Sequence, residues 1–171
     1  MSNYERVIKN ARENKLNKRF GNTSIEHARV LVKEIVLDAN NSIKILSDNF
    51  NNYFYSKILS SIENFLNKNK SNIVEIIVID NEEKNELLES LKSKYKKQVK
   101  IYKIPKEDYP IDSDSKERVN FIINDNYAYR YEYSDKDLKN GIVKAIANFN
   151  NEEENKLLQD TFDKVKKRTD G

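Results

Sequence analysis

The sequence predicts one α/β domain, a mixed, mostly parallel sheet flanked by helices and preceded by an extra N-terminal helix. Three observations carry this. Strand-like and helix-like segments alternate through the first two-thirds of the chain, the order that builds a sheet covered on both faces. Residues 73–79, IVEIIVI, are almost wholly apolar and β-branched, as a central strand buried on both faces requires. At 171 residues, with 37% hydrophobic and 35% charged residues, the chain has the size of one domain and can still bury a core. No Ser-, Gly- or Pro-rich stretch marks a linker, so the division expected is an N-terminal helical extension over 1–22 and an α/β domain over 23–171.

Asn3 to about Lys18 forms a polar helix with a thin apolar stripe of Tyr4, Val7, Ile8 and Ala11, broken by Gly21-Asn22. Thr23-x-x-Glu26 has the pattern of a capping box. It opens a helix whose Ile25, Ala28, Leu31, Val32, Ile35, Val36 and Ala39 recur at helical spacing. A strand over 42–47 and a helix over 53–66 follow, then the 73–79 strand, a charged helix over 82–95 and a strand over 99–104. Residues 105–115 form a loop. Strands at 118–123 and 127–133 are joined by Asn124-Asp125-Asn126, which is tight-turn chemistry. A strand over 142–149 and a helix over 152–167, with Leu157, Leu158, Phe162 and Val165 inward, complete the chain.

Composition excludes several classes. With no cysteine, disulfides and thiolate metal sites are ruled out. No apolar run reaches the roughly 18 residues of a membrane span, and the opening MSNYERVIKN lacks the apolar core of a signal peptide. The expectation is a cytoplasmic protein of bacterial type, without membrane contact, metal or cofactor. The net charge of +3 is too balanced to announce a nucleic-acid binder. Its distribution is less even: residues 1–20 carry six basic side chains (Arg6, Lys9, Arg12, Lys15, Lys18, Arg19) against Glu5 and Glu13, and Lys92, Lys94, Lys96, Lys97 and Lys100 cluster later. Arg12, Lys15, Lys18, Arg19, Lys94, Lys96 and Lys97 are therefore the candidate nucleic-acid contacts, against the plainer reading of solvated faces.

The order of these pieces resembles the phospholipase D-like superfamily. The helix-to-strand run LVKEIVLDANNSIKILS, the strand IVEIIVID, the segment RVNFIIND and the closing AIANFNNEEENKLLQDTFDKVKK each resemble a part of that fold, over residues 24–167. The family's signature is H-x-K-x4-D. With Asp125 at its final position, Arg118 stands where His belongs and Asn120 where Lys belongs. The family's Gly-Ser-x-Asn segment would fall near residues 147–150, leaving Asn148 or Asn150 as its one candidate amide. The resemblance implies a chemistry in which one His attacks phosphorus and a second protonates the leaving group, while lysines hold the anionic oxygens. It also implies that a chain with one motif works as a homodimer. Arg118 cannot be the nucleophile, because guanidinium keeps its proton and offers no free lone pair; it can bind phosphate bidentately. Arg118, Asn120, Asp125 and Asn148 thus form a candidate degenerate anion site without catalysis. The expected function is binding, to a partner protein, a second copy or nucleic acid, in the manner of accessory components of bacterial mobile or defence elements. The alternative is a phosphodiesterase with a histidine-free site.

Other residues carry two readings each. Asp125 is equally a hairpin-turn residue, and Arg118 a strand-end surface residue. His27, the one histidine, is expected on a helix surface far from Arg118. Asp108, Asp112 and Asp114 suit a flexible acidic loop or a hard cation, though not at EF-hand spacing. The tyrosines of YAYRYEY suit a core face with phenol tips at its rim or a stacking platform for bases. Arg130 and Glu132 alternate with them and share the opposite face.

Overall fold

Helix α1 (Asn3–Glu13) starts from Ser2, whose hydroxyl accepts from the Glu5 N–H at 3.1 Å while the Glu5 carboxylate accepts from the Ser2 N–H at 2.6 Å. These bonds satisfy two of the helix's orphan donors. The helix stops well before Lys18, because Asn14 caps it and Lys15 turns into the left-handed region at φ 48°. The Lys15 ammonium secures that turn by donating to Asp38 at 2.9 Å and to the Asn126 carbonyl at 2.6 Å. In this computed structural model residues 1–81, 83–137 and 142–169 are described.

The remaining elements run β1 (Phe20–Ser24), α2 (Ile25–Asp38), β2 (Ser42–Leu46), α3 (Asn52–Tyr55), α4 (Leu59–Lys68), β3 (Ile73–Ile79), α5 (Glu86–Lys94), β4 (Val99–Ile104), β5 (Asn120–Asn124), β6 (Tyr129–Asp137), β7 (Ile142–Asn148) and α6 (Glu152–Thr169). Three differ from expectation. The segment FGNTS, poor in strand formers, is strand β1, because it pairs antiparallel with β7 and tertiary pairing outweighs propensity. Its last residue, Ser24, caps α2 by accepting from the His27 N–H at 3.2 Å, so the cap lies one residue beyond Thr23. The helix expected over 53–66 is two, with Asn51 capping the short α3 and a turn at 56–58 before α4. Residue 82, where the helix before β4 was expected to begin, lies outside the described residues.

The sheet has seven strands in the order β1-β7-β6-β5-β2-β3-β4. Only the β2-β3 and β3-β4 neighbours are parallel; the other pairs are antiparallel. Followed across these pairings, β1, β2, β3, β4 and β6 run one way and β5 and β7 the other. On one face Ile43, Ile45, Val74, Ile76 and Ile122 pack in a core with Ile8 and Ala11 of α1, Leu31 and Ile35 of α2 and Ile62 of α4. On the other, Leu46, Ile77, Phe121 and Ile123 meet Phe162 and Val165 of α6. Leu157, expected inward on α6, is 62% exposed. Buried Glu75 in β3 is held on the α6 side by Lys166 at 3.0 Å and Lys44 at 4.0 Å. Strand β5 lies in the middle of the sheet, and the outer strands are β1 and β4.

Candidate functional site

In open α/β sheets, ligands bind beyond the carboxyl ends of the parallel strands. Here the chain leaves β2 as Ser47-Asp48-Asn49-Phe50-Asn51. Phe50 sits at φ 43°, a conformation that bulky residues seldom adopt, and is fully buried. Two contacts hold it: its N–H donates to the Ser47 hydroxyl at 3.1 Å, and its ring stacks on Tyr55 at 3.8 Å. The strained turn fixes Asp48 at the mouth of a recess.

Asn120 opens β5 opposite that turn. Its Oδ1 accepts from the Asp48 N–H at 2.7 Å and from the Tyr109 hydroxyl at 3.1 Å, and its Nδ2 donates to the Arg118 carbonyl at 3.2 Å. The Arg118 guanidinium reaches the Asp48 carboxylate at 3.6 Å, with its side chain 37% exposed. Behind these residues lies Arg130, 3% exposed. Its Nε donates to Asn22 at 3.2 Å and its Nη1 to Glu132 at 2.9 Å, while Nη2 has no hydrogen-bond partner. Burial raises the Tyr55 and Tyr109 phenols far above their ordinary range, with the nearby Asp48 carboxylate acting in the same direction, so both remain neutral. The recess has a volume of about 80 Å³ and is walled by Val32, Asp48, Tyr55, Asn120, Arg130 and Glu132, among others. Beside it, sharing Asn49 and Asn51, a cleft of about 400 Å³ runs over Ile79, Leu88 and Ile101.

Of the four candidate anion-site residues, the structure brings only Arg118 and Asn120 together. Asp125 lies one residue past the far end of β5, about 16 Å of chain beyond Asn120 at ~3.3 Å per residue. There its two carboxylate oxygens accept from the Asn40 and Asn41 N–H groups, each at 2.9 Å, pinning the α2–β2 connection. Asn148, paired with Tyr129 across the sheet, is at that same end; its Nδ2 donates to Asn17 at 2.9 Å and its Oδ1 caps Asn150 at 2.8 Å. The turn between β5 and β6 is built by Asn124, whose Oδ1 accepts from the Asn126 and Ala128 N–H groups, with Tyr127 at φ 66°. Arg130 and Glu132 are the site residues sequence motifs did not mark. Their alternation with tyrosines placed them on one face, but only the sheet order shows that this face closes the recess.

The other candidates are also located. His27 stacks its ring on Tyr4 at 3.8 Å, and burial pushes the Tyr4 phenol up to about 12. Arg12 pairs with Glu34 at 2.5 Å, Lys15 with Asp38, Arg19 with Glu154, and Lys94 with Glu63 at 2.6 Å. Lys18, Lys96 and Lys97 are exposed. Tyr129 and Tyr131 lie on the α6 face, Tyr127 is in the turn, and Tyr133 lies outside the residues whose side chains are described. Asp112 organises its loop by accepting from Ser115 N–H at 2.9 Å and Tyr131 O–H at 2.8 Å. Among the described residues no three His, Cys, Asp or Glu side chains gather as a metal site would need, and no helix is long and apolar enough to cross a membrane.

The fold is similar to that of solved structures that have phospholipase D-superfamily folds. Phosphatidylserine synthase from Haemophilus influenzae matches over 89% of this chain and 38% of its own, with a TM-score of 0.56 and 10% identity. Polyphosphate kinase from Porphyromonas gingivalis matches over 81% of this chain and 24% of its own, with a TM-score of 0.51 and 11% identity. TrmBL2, an archaeal chromatin protein whose structure shows a novel mode of DNA binding, matches over 89% of this chain and 53% of its own, with a TM-score of 0.61 and 11% identity. The chain therefore spans about half of the chromatin protein and less of the two enzymes, and what it shares with them at these identities is the fold. No family model and no curated protein matches the sequence.

Proposed function

We propose that this chain is a non-catalytic phospholipase D-like domain that acts by binding, with the recess at the end of β2 as its receptor. One observation carries the proposal: the residues at the family's His and Lys positions are engaged inside the protein. Asn120 gives its oxygen to the Asp48 N–H and the Tyr109 hydroxyl, and Arg118 faces the Asp48 carboxylate. Neither offers a nucleophilic lone pair or a proton that leaves near neutral pH. The chain's one histidine is stacked on Tyr4 instead. The likeness to a DNA-binding chromatin protein makes nucleic acid one class of partner to consider. Against it, the carboxylates paired with Arg12, Lys15, Arg19 and Lys94 reduce the charge available for a phosphate backbone. The test is turnover. Purified protein, with and without divalent metal, is expected to leave DNA, RNA and phosphatidylcholine intact. Hydrolysis that disappears in Arg118→Ala would overturn the proposal.

A further inference from the structure

Two stretches of the chain hold no carboxylate: residues 64–74 and 90–106 together carry nine lysines and neither Asp nor Glu. Since the whole chain has a net charge of +3, the remaining residues sum to −6. The fold sets the two stretches side by side. The first holds the turn from α4 into β3 and the second the turn from α5 into β4, and β3 and β4 are parallel neighbours, about 4.8 Å apart. Gln98 ties the turns together, its Nε2 donating to the carbonyls of Leu66 at 2.8 Å, Asn69 at 3.0 Å and Asn72 at 3.1 Å. Buried Asn72 braces the first turn from within by donating to the Phe65 carbonyl at 2.7 Å. Lys68, Lys70, Lys96, Lys97 and Lys100 are all exposed here, and among the described residues none of the five forms an ion pair. Glu63 and Glu75, the acids flanking the first stretch, are engaged by Lys94 at 2.6 Å and Lys166 at 3.0 Å.

Cations at helix C-termini complement the helix dipole, which accounts for Lys68 and Lys94 at the ends of α4 and α5. Lys70, Lys96, Lys97 and Lys100 stand beyond both helices. A surface kept soluble by charge mixes both signs; these turns carry one. Their chemistry also selects among anionic partners. Protein interfaces are poor in lysine and centre on apolar or aromatic side chains, and Tyr95, the one aromatic residue in the two turns, is buried. The turns thus present no ring for unpaired bases to stack on and no apolar side chain to hold a bilayer. They present point charges beside the exposed amide and hydroxyl groups of Asn67, Asn69 and Ser71, the groups that hold duplex phosphates without reading bases.

We infer that the paired α4–β3 and α5–β4 turns form a docking face for the phosphate backbone of a nucleic-acid duplex, bound without base recognition. This rests on reading the chain as a binding protein. It names the partner and adds a face at the amino ends of β3 and β4, the opposite end of the sheet from the recess. The experiment is fluorescence anisotropy of a labelled DNA duplex with the full-length chain at 50 and 200 mM salt. If the five lysines each neutralise a phosphate, log K falls with log salt at a slope of about −4.5, so binding weakens about 500-fold over that range. Lys68→Gln with Lys70→Gln, and separately Lys96→Gln with Lys97→Gln, are each expected to reduce the slope by about 2. Being exposed, these substitutions leave stability nearly unchanged, which thermal unfolding checks. Lys9→Gln with Lys18→Gln, an equal charge loss at and beyond α1, is expected to leave the slope as it is. The single strand of the same sequence and vesicles of phosphatidylserine and phosphatidylcholine run in parallel, and both are expected to bind more weakly than the duplex. The inference is overturned if the duplex gives no change at about 100 μM protein in the low salt, if the α1 pair matters as much as either turn pair, or if vesicles or single strand bind better. Those outcomes leave the non-catalytic reading standing; cleavage of the duplex, read on a gel from the same samples, removes that reading whatever the binding.

Discussion

Asn120→Lys, which places a lysine where the phospholipase D-like signature carries one, tests whether Asn120 is a structural residue. Asn120 is 5% exposed and gives its oxygen to the Asp48 N–H at 2.7 Å and the Tyr109 hydroxyl at 3.1 Å. Lysine has only donors. Tyr109 keeps the Val119 carbonyl at 2.9 Å, so the main loss is the acceptor for the Asp48 N–H, at about 1–3 kcal/mol. The ammonium also has to leave water, a cost partly offset by Asp48 and by Glu132, which Asn120 faces across the β5–β6 pair. The net expectation is a loss of about 2–4 kcal/mol. For a domain of this length, at about 2–4 °C per kcal/mol, the midpoint falls by about 4–16 °C. Arg118→His, at a side chain 37% exposed, is expected to stay within about 0.5 kcal/mol of wild type. The assay is thermal and urea unfolding of both single variants and the double variant, followed by phosphodiesterase assays of each. A double variant as stable as wild type, or one that gains turnover, would refute the account of Asn120 as a structural residue.

Asp125→Ala removes two exposed carboxylate-to-backbone bonds and is expected to cost about 1–2 kcal/mol in urea unfolding; an unchanged midpoint would contradict its placement. The Ser115 N–H and then the Tyr131 hydroxyl hold the Asp112 carboxyl down at about 2. A depressed carboxyl stabilises the fold above its unfolded value and ceases to do so as pH falls through the folded one, so Asp112→Asn is expected to flatten the stability loss between about pH 4 and 2. An unchanged acid limb would show that Asp112 does not couple to folding. Duplex DNA is expected to bind weakly and to dissociate as salt rises; binding that persists unchanged at high salt would contradict a purely electrostatic contact. Light scattering at micromolar concentration is expected to give twice the 20.2 kDa chain mass. Leu157→Glu, at the exposed apolar patch with Tyr131 and Ile146, is expected to return the monomer, and a monomer mass for the unaltered chain would end the dimer proposal.

Where burial follows periodicity, the sequence was a good guide. IVEIIVI is β3, buried as expected although it lies next to the outer strand β4 and not at the centre of the sheet, and Leu31, Val32, Ile35 and Val36 face the core from α2. Prediction lapsed where long-range pairing decides. FGNTS has no strand pattern of its own and is a strand because β7 lies beside it. Leu157 satisfies helical spacing, yet it lies at the rim of α6 beside Tyr131 and Ile146 and stays 62% exposed. The site divides in the same way. Arg118 and Asn120, which the motif spacing picked out, lie two residues apart at the start of β5 and both meet Asp48 in the turn after β2. Arg130 and Glu132 went unmarked because their role depends on β6 lying next to β5, on the face of the turn that follows β2. Nothing local in YAYRYEY states which neighbour that face will have.

Asp125 shows why a match at one motif position was weak evidence for a retained site. A hairpin turn beside an α–β connection needs a side chain that accepts backbone N–H groups, and Asp supplies two oxygens for the purpose. Asp125 makes those bonds to Asn40 and Asn41, and Asn124 performs the matching task inside the turn. Such an aspartate is required whether or not phosphate chemistry occurs at the other end of the strand. The informative positions are those where structure alone would favour an apolar residue. Arg130 is one. A buried guanidinium facing a recess costs several kcal/mol unless its donors are met, and Asn22 and Glu132 meet only two of its nitrogens. An aliphatic residue at that position would pack against Val32 without this cost.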